Sequence, residues 1–135
     1  MFCKNIHLMT FRSGLNILIY YLNNSIPENK VGKIEKILET SYNISTITKI
    51  EVLGWHKITP DIKNKIEIFL NEASIIYIDK NIENKAIEIK QLFKVAVPDA
   101  IIAATAIERN MTIVTRNEND FDKIKEIKIY NPFKY

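Results

Sequence analysis

The order of apolar and polar positions predicts strands and helices that alternate along the chain. Short runs rich in β-branched residues predict strands, and apolar spacings of three and four residues predict helices. Strands are expected at residues 6–9, 44–47, 74–78, 112–115 and 127–130. Helices are expected at 15–23, 28–41, 50–57, from Thr59-Pro60 onward, after a capping Asp79, at 99–109 and, as a single turn, at 121–124. This alternation predicts a mostly parallel sheet with helices on both faces.

Composition predicts one globular domain that spans residues 1–135, since no linker sequence divides the chain. The formal net charge of +3 permits an RNA partner but does not require one. Cys3 is the only cysteine, which excludes an internal disulfide and fits a reducing compartment. No apolar run approaches the roughly 20 residues that span a bilayer, and the N-terminal residues show no signal-peptide pattern. A cytoplasmic protein without a membrane partner is expected.

Several common kinds of functional site are excluded by the residues that the chain lacks. Its three glycines are too far apart for a dinucleotide-binding or P-loop motif. Its two histidines, His7 and His56, have no second histidine or cysteine at the spacing of a zinc site. There is also no G-x-S-x-G nucleophile motif.

Three acidic residues occur where predicted strands give way to helices or turns, and these are Glu51, Asp99 and Asp120. Ligands of α/β folds collect at such junctions, and clustered carboxylates suit Mg²⁺ or Mn²⁺. Such an ion can activate water against a phosphodiester. Each acid alone also has a purely structural interpretation. Thr48-x-x-Glu51 reads as a capping box, Asp99 can complement a helix dipole, and Asp120 can cap the turn before Phe121.

Three segments together resemble the PIN-domain ribonucleases, and within them the VapC-type toxins of toxin–antitoxin pairs. The segments are 45–55 (STITKIEVLGW), 98–106 (PDAIIAATA) and 114–121 (VTRNENDF). The resemblance implies an α/β/α three-layer sandwich with a central, mostly parallel sheet. It also implies RNA cleavage with Mg²⁺ or Mn²⁺, homodimers, and inhibition by a small antitoxin protein. By this resemblance Glu51, Asp99 and Asp120 are catalytic metal ligands, and the substrate-binding residues are Asn16, Thr115, Arg116 and Asn117.

The first acid of the family pattern is missing from this chain. Residues 16–22 (NILIYYL) match the apolar helix that follows that acid, but Gly14 stands where Asp is expected and Leu15 where Ser or Thr is expected. Aligning the end of the first strand instead puts Thr10 at the Asp position, and no acid precedes Glu28. Asp79 or Glu118 could supply a substitute carboxylate.

Two functions therefore remain open. The first is a metal-dependent endoribonuclease that is impaired by the loss of this acid. The second is a catalytically inactive PIN-fold binding module for an antitoxin-like partner, for itself or for RNA. A response-regulator receiver is a weaker third interpretation, because the chain lacks an acidic pair after its first strand.

Overall fold

The computed structural model describes residues 7–9, 42–115, 117–131 and 134. Some of the predictions fall outside these residues. They are the helices at 15–23 and 28–41, the substrate-binding roles of Asn16 and Arg116, and the altered junction that contains Thr10, Gly14 and Leu15.

The described residues form strands and helices close to those predicted. The strands are β1 (His7–Met9), β2 (Tyr42–Ser45), β3 (Ser74–Ile76), β4 (Thr112–Val114) and β5 (Lys128–Tyr130). The helices are α1 (Thr46–Leu53), α2 (Pro60–Glu72), α3 (Lys80–Leu92) and α4 (Val97–Arg109). The helix expected at 50–57 instead spans Thr46–Leu53, so the strand expected at 44–47 ends at Ser45. The turn expected at 121–124 is confirmed, since the carbonyl of Phe121 accepts the N–H of Ile124 at 3.1 Å, and a 3₁₀ turn that was not predicted precedes it at Glu118–Asp120.

The helix starts explain why two boundaries were predictable and one was not. Thr59 and Asp79 cap α2 and α3, and their side chains accept the N–H groups of Ile62 (3.3 Å) and Ile82 (2.8 Å) as expected. At α1 the capping residue is Ser45, whose Oγ accepts the N–H of Ile47 at 3.2 Å. Because Ser45 is also the last residue of β2, the helix follows the strand without a loop.

All five strands are parallel and lie in one sheet in the order β3-β2-β1-β4-β5. The chain therefore extends the sheet from β1 through β2 to β3 on one side, and then adds β4 and β5 on the other side. This confirms the predicted parallel α/β architecture. It also makes β1 the central strand, which the sequence pattern did not indicate.

Two hydrophobic clusters lie on opposite faces of the sheet, because successive strand residues point to opposite sides. Ile113 belongs to a cluster with residues of α3 and α4, whereas its neighbour Val114 belongs to a cluster with residues of α1 and α2. Helices thus cover both faces. The predicted inner stripes are confirmed, and they comprise Ile62, Ile66, Phe69 and Leu70 in α2, and Ile82, Ala86, Ile89 and Phe93 in α3.

Candidate functional site

The candidate site lies at the edge of the sheet formed by the carboxyl ends of the strands. The chain continues from β1 to β2 toward one edge of the sheet, and from β4 to β5 toward the opposite edge. In open α/β sheets, ligands bind outside the carboxyl ends of the strands at this point of divergence. The register pairs Met9 with Ile44 on one side and with Val114 on the other. The residues that follow these positions therefore border the expected crevice.

Small polar residues lie at the carboxyl ends of three strands and are buried there. Ser45 ends β2, Thr115 follows β4 and Asn131 follows β5, and each is at most 6% exposed. The N–H of Thr115 donates to the carbonyl of Tyr130 at 3.1 Å, so the pairing of β4 with β5 continues past the last strand residue. Buried polar groups need hydrogen-bond partners, so their concentration distinguishes this edge of the sheet from its apolar core.

Three further polar residues of the described part are buried, and two of them lie near the start of a helix. Thr48 lies on α1, directly after β2, and Asp99 lies in the first turn of α4. The exception is Thr105, in the middle of α4, whose hydroxyl donates to the carbonyl of Ile101 at 2.7 Å.

Glu51 lies in the second half of α1 and does not cap it. The first turn of this helix contains no acid, and its capping residue is Ser45, so the capping-box interpretation of Thr48 with Glu51 is wrong. The two residues are instead three positions apart within the helix and share a face. The Thr48 hydroxyl and one carboxylate oxygen of Glu51, Oε1, are both closed to solvent. A carboxylate with a buried oxygen is therefore oriented by its surroundings.

Asp99 is the third residue of α4 and is only 6% exposed. The N-cap residue, Ala96, makes no side-chain cap, and Asp99 is the acid in the first turn. Its carboxylate therefore lies where the helix dipole favours negative charge, as the structural interpretation expected. Its Oδ1 is closed to solvent. Helix α4 packs against α1, so Asp99 and Glu51 are carried by neighbouring helices.

Asp120 ends the 3₁₀ turn that follows β4 and is partly buried. The Oγ1 of Thr115 accepts the N–H of Asn117 at 3.0 Å, and the carbonyl of Asn117 accepts the N–H of Asp120 at 3.2 Å. The N-cap position of this turn is Asn117, so Asp120 does not cap it. Thr115 and Asn117, which were predicted to bind substrate, fix the backbone that leads to Asp120.

Residues near the C-terminus hold a second acid of the same turn. Glu118 Oε2 lies 3.5 Å from the side-chain amide nitrogen of Asn131 and 3.5 Å from the ammonium of Lys134. The N–H of Lys134 also donates to the carbonyl of Asn131 at 3.1 Å. The position of the turn that carries Asp120 therefore depends on the residues after β5. Asn131 and Lys134 were not predicted from the sequence, because only the strand register brings them to this edge.

Asp79 lies at the end of α4 opposite to Asp99, so it supplies no carboxylate beside Asp99. Its Oδ2 pairs with the guanidinium of Arg109 at 2.9 Å, at the last residue of α4. Ten residues of helix separate Arg109 from Asp99, which is about 15 Å along the axis. The N–H of Ile82 and, next, the Arg109 guanidinium bond to the Asp79 carboxylate and lower its pKa. Asp79 is therefore a charged helix cap.

The donors described here do not form a complete metal site. Carboxylate oxygens are the ligands that Mg²⁺ and Mn²⁺ prefer. However, the part of the chain with assigned positions contains no group of three His, Cys, Asp or Glu side chains that could hold a metal ion. Glu51 and Asp99 lie on adjacent helices, and Asp120 lies on a separate turn. The joint role of these three acids stays a prediction.

The described residues define a parallel α/β protein with buried polar residues at the carboxyl edge of its sheet and acids on two neighbouring helices and one turn. A family model described as the PIN domain matches residues 16–127. The chain therefore belongs to the PIN-domain family, as its resemblance indicated. The matched region begins at Asn16 and leaves Gly14 and Leu15 outside it. Among curated proteins, the search found no match.

Solved structures of toxin–antitoxin complexes contain similar folds. A toxin–antitoxin complex from Klebsiella pneumoniae matches with a TM-score of 0.74 and 26% identity, covering 96% of this chain and 99% of that chain. VapBC2 from Rickettsia felis, bound to a DNA fragment from its promoter, matches with a TM-score of 0.74 and 24% identity, covering 93% and 98%. FitAcB from Neisseria gonorrhoeae matches with a TM-score of 0.71 and 22% identity, covering 96% and 100%.

No helix in the described ranges combines the length and the apolar character that crossing a bilayer requires.

Proposed function

We propose that this protein is a metal-dependent endoribonuclease of the PIN toxin type whose activity is reduced by the loss of the first acid. The proposed acidic residues are Glu51, Asp99 and Asp120, and the proposed ion is Mg²⁺ or Mn²⁺. The proposed substrate is RNA, contacted through Asn16, Thr115, Arg116 and Asn117. The proposal includes the complete three-layer α/β/α sandwich, a small antitoxin partner, self-association and a cytoplasmic location.

The buried carboxylate of Asp99 carries this proposal. It lies at the start of α4, beside the helix that bears Glu51, and the buried residues Ser45, Thr115 and Asn131 lie at the carboxyl ends of strands. Membership of the PIN-domain family supports a nuclease role for acids in this position. Likeness to a toxin–antitoxin complex at 26% identity supports the toxin class and an antitoxin partner.

The reduced activity follows from the composition of the N-terminal junction. The sequence contains no Asp or Glu before Glu28, so neither alignment of the first strand supplies the expected carboxylate. Fewer carboxylates attract a divalent ion less strongly.

The second candidate function is a PIN-fold binding module without turnover. The observation that favours it is the absence, among the residues whose positions the structure gives, of a three-donor group for a metal. Under this alternative the fold still binds an antitoxin-like protein, a second copy of itself or RNA. A cleavage assay separates the two candidates.

The experiment measures cleavage of single-stranded RNA with Mn²⁺ by the unmodified chain, by Gly14→Asp and by Asp99→Asn. Gly14→Asp, with or without Leu15→Ser, restores the expected acid and should raise the rate. A misplaced nucleophile costs on the order of a hundredfold, so a gain of that order is expected. Asp99→Asn is the inactive reference, and Asp61→Asn, on the exposed start of α2, is the matched control.

The outcomes differ clearly between the candidates. Weak cleavage that Asp99→Asn abolishes and Gly14→Asp increases supports the impaired nuclease. No cleavage by any of these proteins, with retained RNA or partner binding, supports the binding module. Vigorous cleavage by the unmodified chain that Asp99→Asn abolishes would show that the missing acid is dispensable.

A further inference from the structure

The connection between α1 and α2, residues 54–59, lies toward the carboxyl edge of the sheet. Because β2 and β3 are parallel, the chain between them returns from the carboxyl edge to the amino edge. Near the end of α2, the ring of Phe69 stacks on that of Tyr42, the first residue of β2, with centroids 4.7 Å apart. The helix from Pro60 to Phe69 spans about 13.5 Å, which is about the length of β2. The start of α2 and the connection before it therefore lie at the level of the edge that holds the candidate site.

The backbone of this connection is held by hydrogen bonds. The N–H of Gly54 donates to the carbonyl of Ile50 at 2.8 Å, and the N–H of Ile58 donates to the carbonyl of Trp55 at 3.0 Å. A Cβ on Gly54 would lie 2.6 Å from the carbonyl oxygen of Ile50, so this close approach requires glycine. The side chain of Ile58 packs against the hydrophobic cluster that contains residues of α1 and α2. Trp55 therefore lies on a turn whose backbone is fixed on both sides of it.

The side chains of this connection combine an aromatic ring with positive charge. Trp55 is the only tryptophan of the chain and is partly exposed, and His56 and Lys57 are exposed beside it. The connection contains no acid, and Asp61, the first acid after it, pairs with Lys65 at 3.4 Å. An indole ring stacks on nucleobases, and an ammonium group binds phosphate. These are the two interactions through which proteins bind single-stranded nucleic acids.

A cleft of about 390 Å³ lies next to this connection, at the start of α2. Polar groups in its lining come from Thr59, Lys63, Asn64 and Glu67. The Lys63 ammonium is 3.9 Å from the Glu67 carboxylate, and the two side chains are 55% and 47% exposed. An exposed pair at this distance is weak, so a phosphate can compete for the ammonium. The amide of Asn64 carries donors and an acceptor, as hydrogen bonding to a base edge requires.

We infer that the connection between α1 and α2 is a contact surface for single-stranded RNA, with a base stacked on Trp55 and phosphates at Lys57 and Lys63. The centre of a protein–protein interface is depleted of charged residues, whereas Lys57 lies two residues from Trp55. The inference deepens the proposed function, because it rests on RNA as the substrate and adds a surface to the substrate-binding residues proposed above. It requires neither metal binding nor cleavage.

The first test uses the single tryptophan as a reporter. The unmodified chain is titrated with oligouridylate in EDTA, which prevents metal-dependent cleavage, and the indole fluorescence is recorded. Binding should quench the fluorescence of Trp55, because the stacked base contacts the ring. Trp55→Leu should weaken binding of labelled oligouridylate, measured by anisotropy, by about tenfold. Trp55→Phe keeps an aromatic ring and should retain most of the affinity, and circular dichroism melts confirm that both variants fold.

The second test measures the contribution of charge. Lys57→Gln should weaken binding by about fivefold at about 0.1 M salt and reduce the slope of log affinity against log salt by about 0.7, because one phosphate contact is lost. Lys80→Gln is the matched control and should change neither quantity. Lys80 is also exposed, but it begins α3 beside Asp79, at the end of α4 opposite to Asp99.

The inference is overturned if no oligouridylate binds, if binding leaves the fluorescence of Trp55 unchanged, or if Lys57→Gln has no larger effect than Lys80→Gln. RNA cleavage without any change at Trp55 would overturn this inference alone and leave the proposed function in place. Quenching of Trp55 without cleavage by any variant would support the inference and would favour the binding module over the impaired nuclease.

Discussion

Thr48 and Thr105 are both helical threonines with 1% exposure, but their hydroxyl groups have different surroundings. The hydroxyl of Thr105 donates to the carbonyl of Ile101 one turn earlier in α4. The hydroxyl of Thr48 has no hydrogen-bond partner among the residues whose positions are assigned, and it shares a helix face with Glu51. Native proteins rarely leave a buried hydroxyl without a hydrogen-bond partner, so Thr48 differs from an ordinary helical threonine such as Thr105.

We therefore expect opposite effects on stability from the same substitution at the two positions. Thr48→Val removes a buried hydroxyl without a described partner and should raise the free energy of unfolding by about 1 kcal/mol. Thr105→Val breaks a hydrogen bond and should lower it by about 0.5 to 1 kcal/mol. Urea unfolding followed by circular dichroism measures both. A clear loss of stability in Thr48→Val would show that this hydroxyl is bonded within the folded protein.

At the scale of elements, local patterns predicted the helices that have distinctive starts. Thr59-Pro60 and Asp79 each precede an apolar stripe with helical spacing, and both cap their helices as expected. The start of α1 was not predictable to the residue, because Ser45, Thr46 and Thr48 are all good capping residues. The correct choice depends on where β2 stops pairing, which is a contact between distant parts of the chain. Because the helix starts at Thr46 and not at residue 50, Glu51 lies in its second half and not in its first turn.

The cap of α3 gives a prediction about pH. Hydrogen bonds from the backbone and the Arg109 guanidinium lower the pKa of Asp79 below its ordinary value of 3.8. A carboxyl with a lowered folded-state pKa stabilises the protein above its unfolded pKa, and this contribution is lost as the pH falls through the folded value. Asp79→Ala should therefore reduce the melting temperature at neutral pH. The difference from the unmodified chain should shrink as the pH falls below 3.8.

Asp79→Asn separates the two contributions to this cap. Its amide oxygen still accepts the N–H of Ile82, but the ion pair with Arg109 is lost. Its melting temperature should fall between those of the unmodified chain and Asp79→Ala at neutral pH. Melting curves by calorimetry across the acidic range provide the measurement. A difference between Asp79→Ala and the unmodified chain that does not change with pH would contradict the assignment.

At the scale of the whole molecule, two hydrophobic clusters hold the sheet between helices and leave its carboxyl edge for polar residues. The alternation of elements predicted a parallel sheet, but not the order of its strands, because strand order depends on contacts between distant segments. That order makes β1 central and brings Thr115 beside Asn131. The sequence alone therefore suggested acids near strand ends. The buried polar residues Thr115 and Asn131 could be placed side by side only from the strand register.

The proposed function predicts how a divalent ion affects stability. An ion that binds only the folded protein stabilises it by RT ln(1 + [ion]/Kd), and the proposed site, with one carboxylate fewer than the family pattern, should bind at a millimolar rather than a micromolar level. With a Kd of about 1 mM, about 10 mM Mn²⁺ should add about 1.4 kcal/mol to the free energy of unfolding, or roughly 4 °C to the melting temperature.

Asp99→Asn should abolish most of this rise in melting temperature, whereas Asp61→Asn should retain it. Gly14→Asp should shift the response to lower Mn²⁺ concentrations. Saturation at micromolar Mn²⁺ would contradict a partial metal site and would favour a complete one. No response at tens of millimolar Mn²⁺ would favour a binding module without a metal.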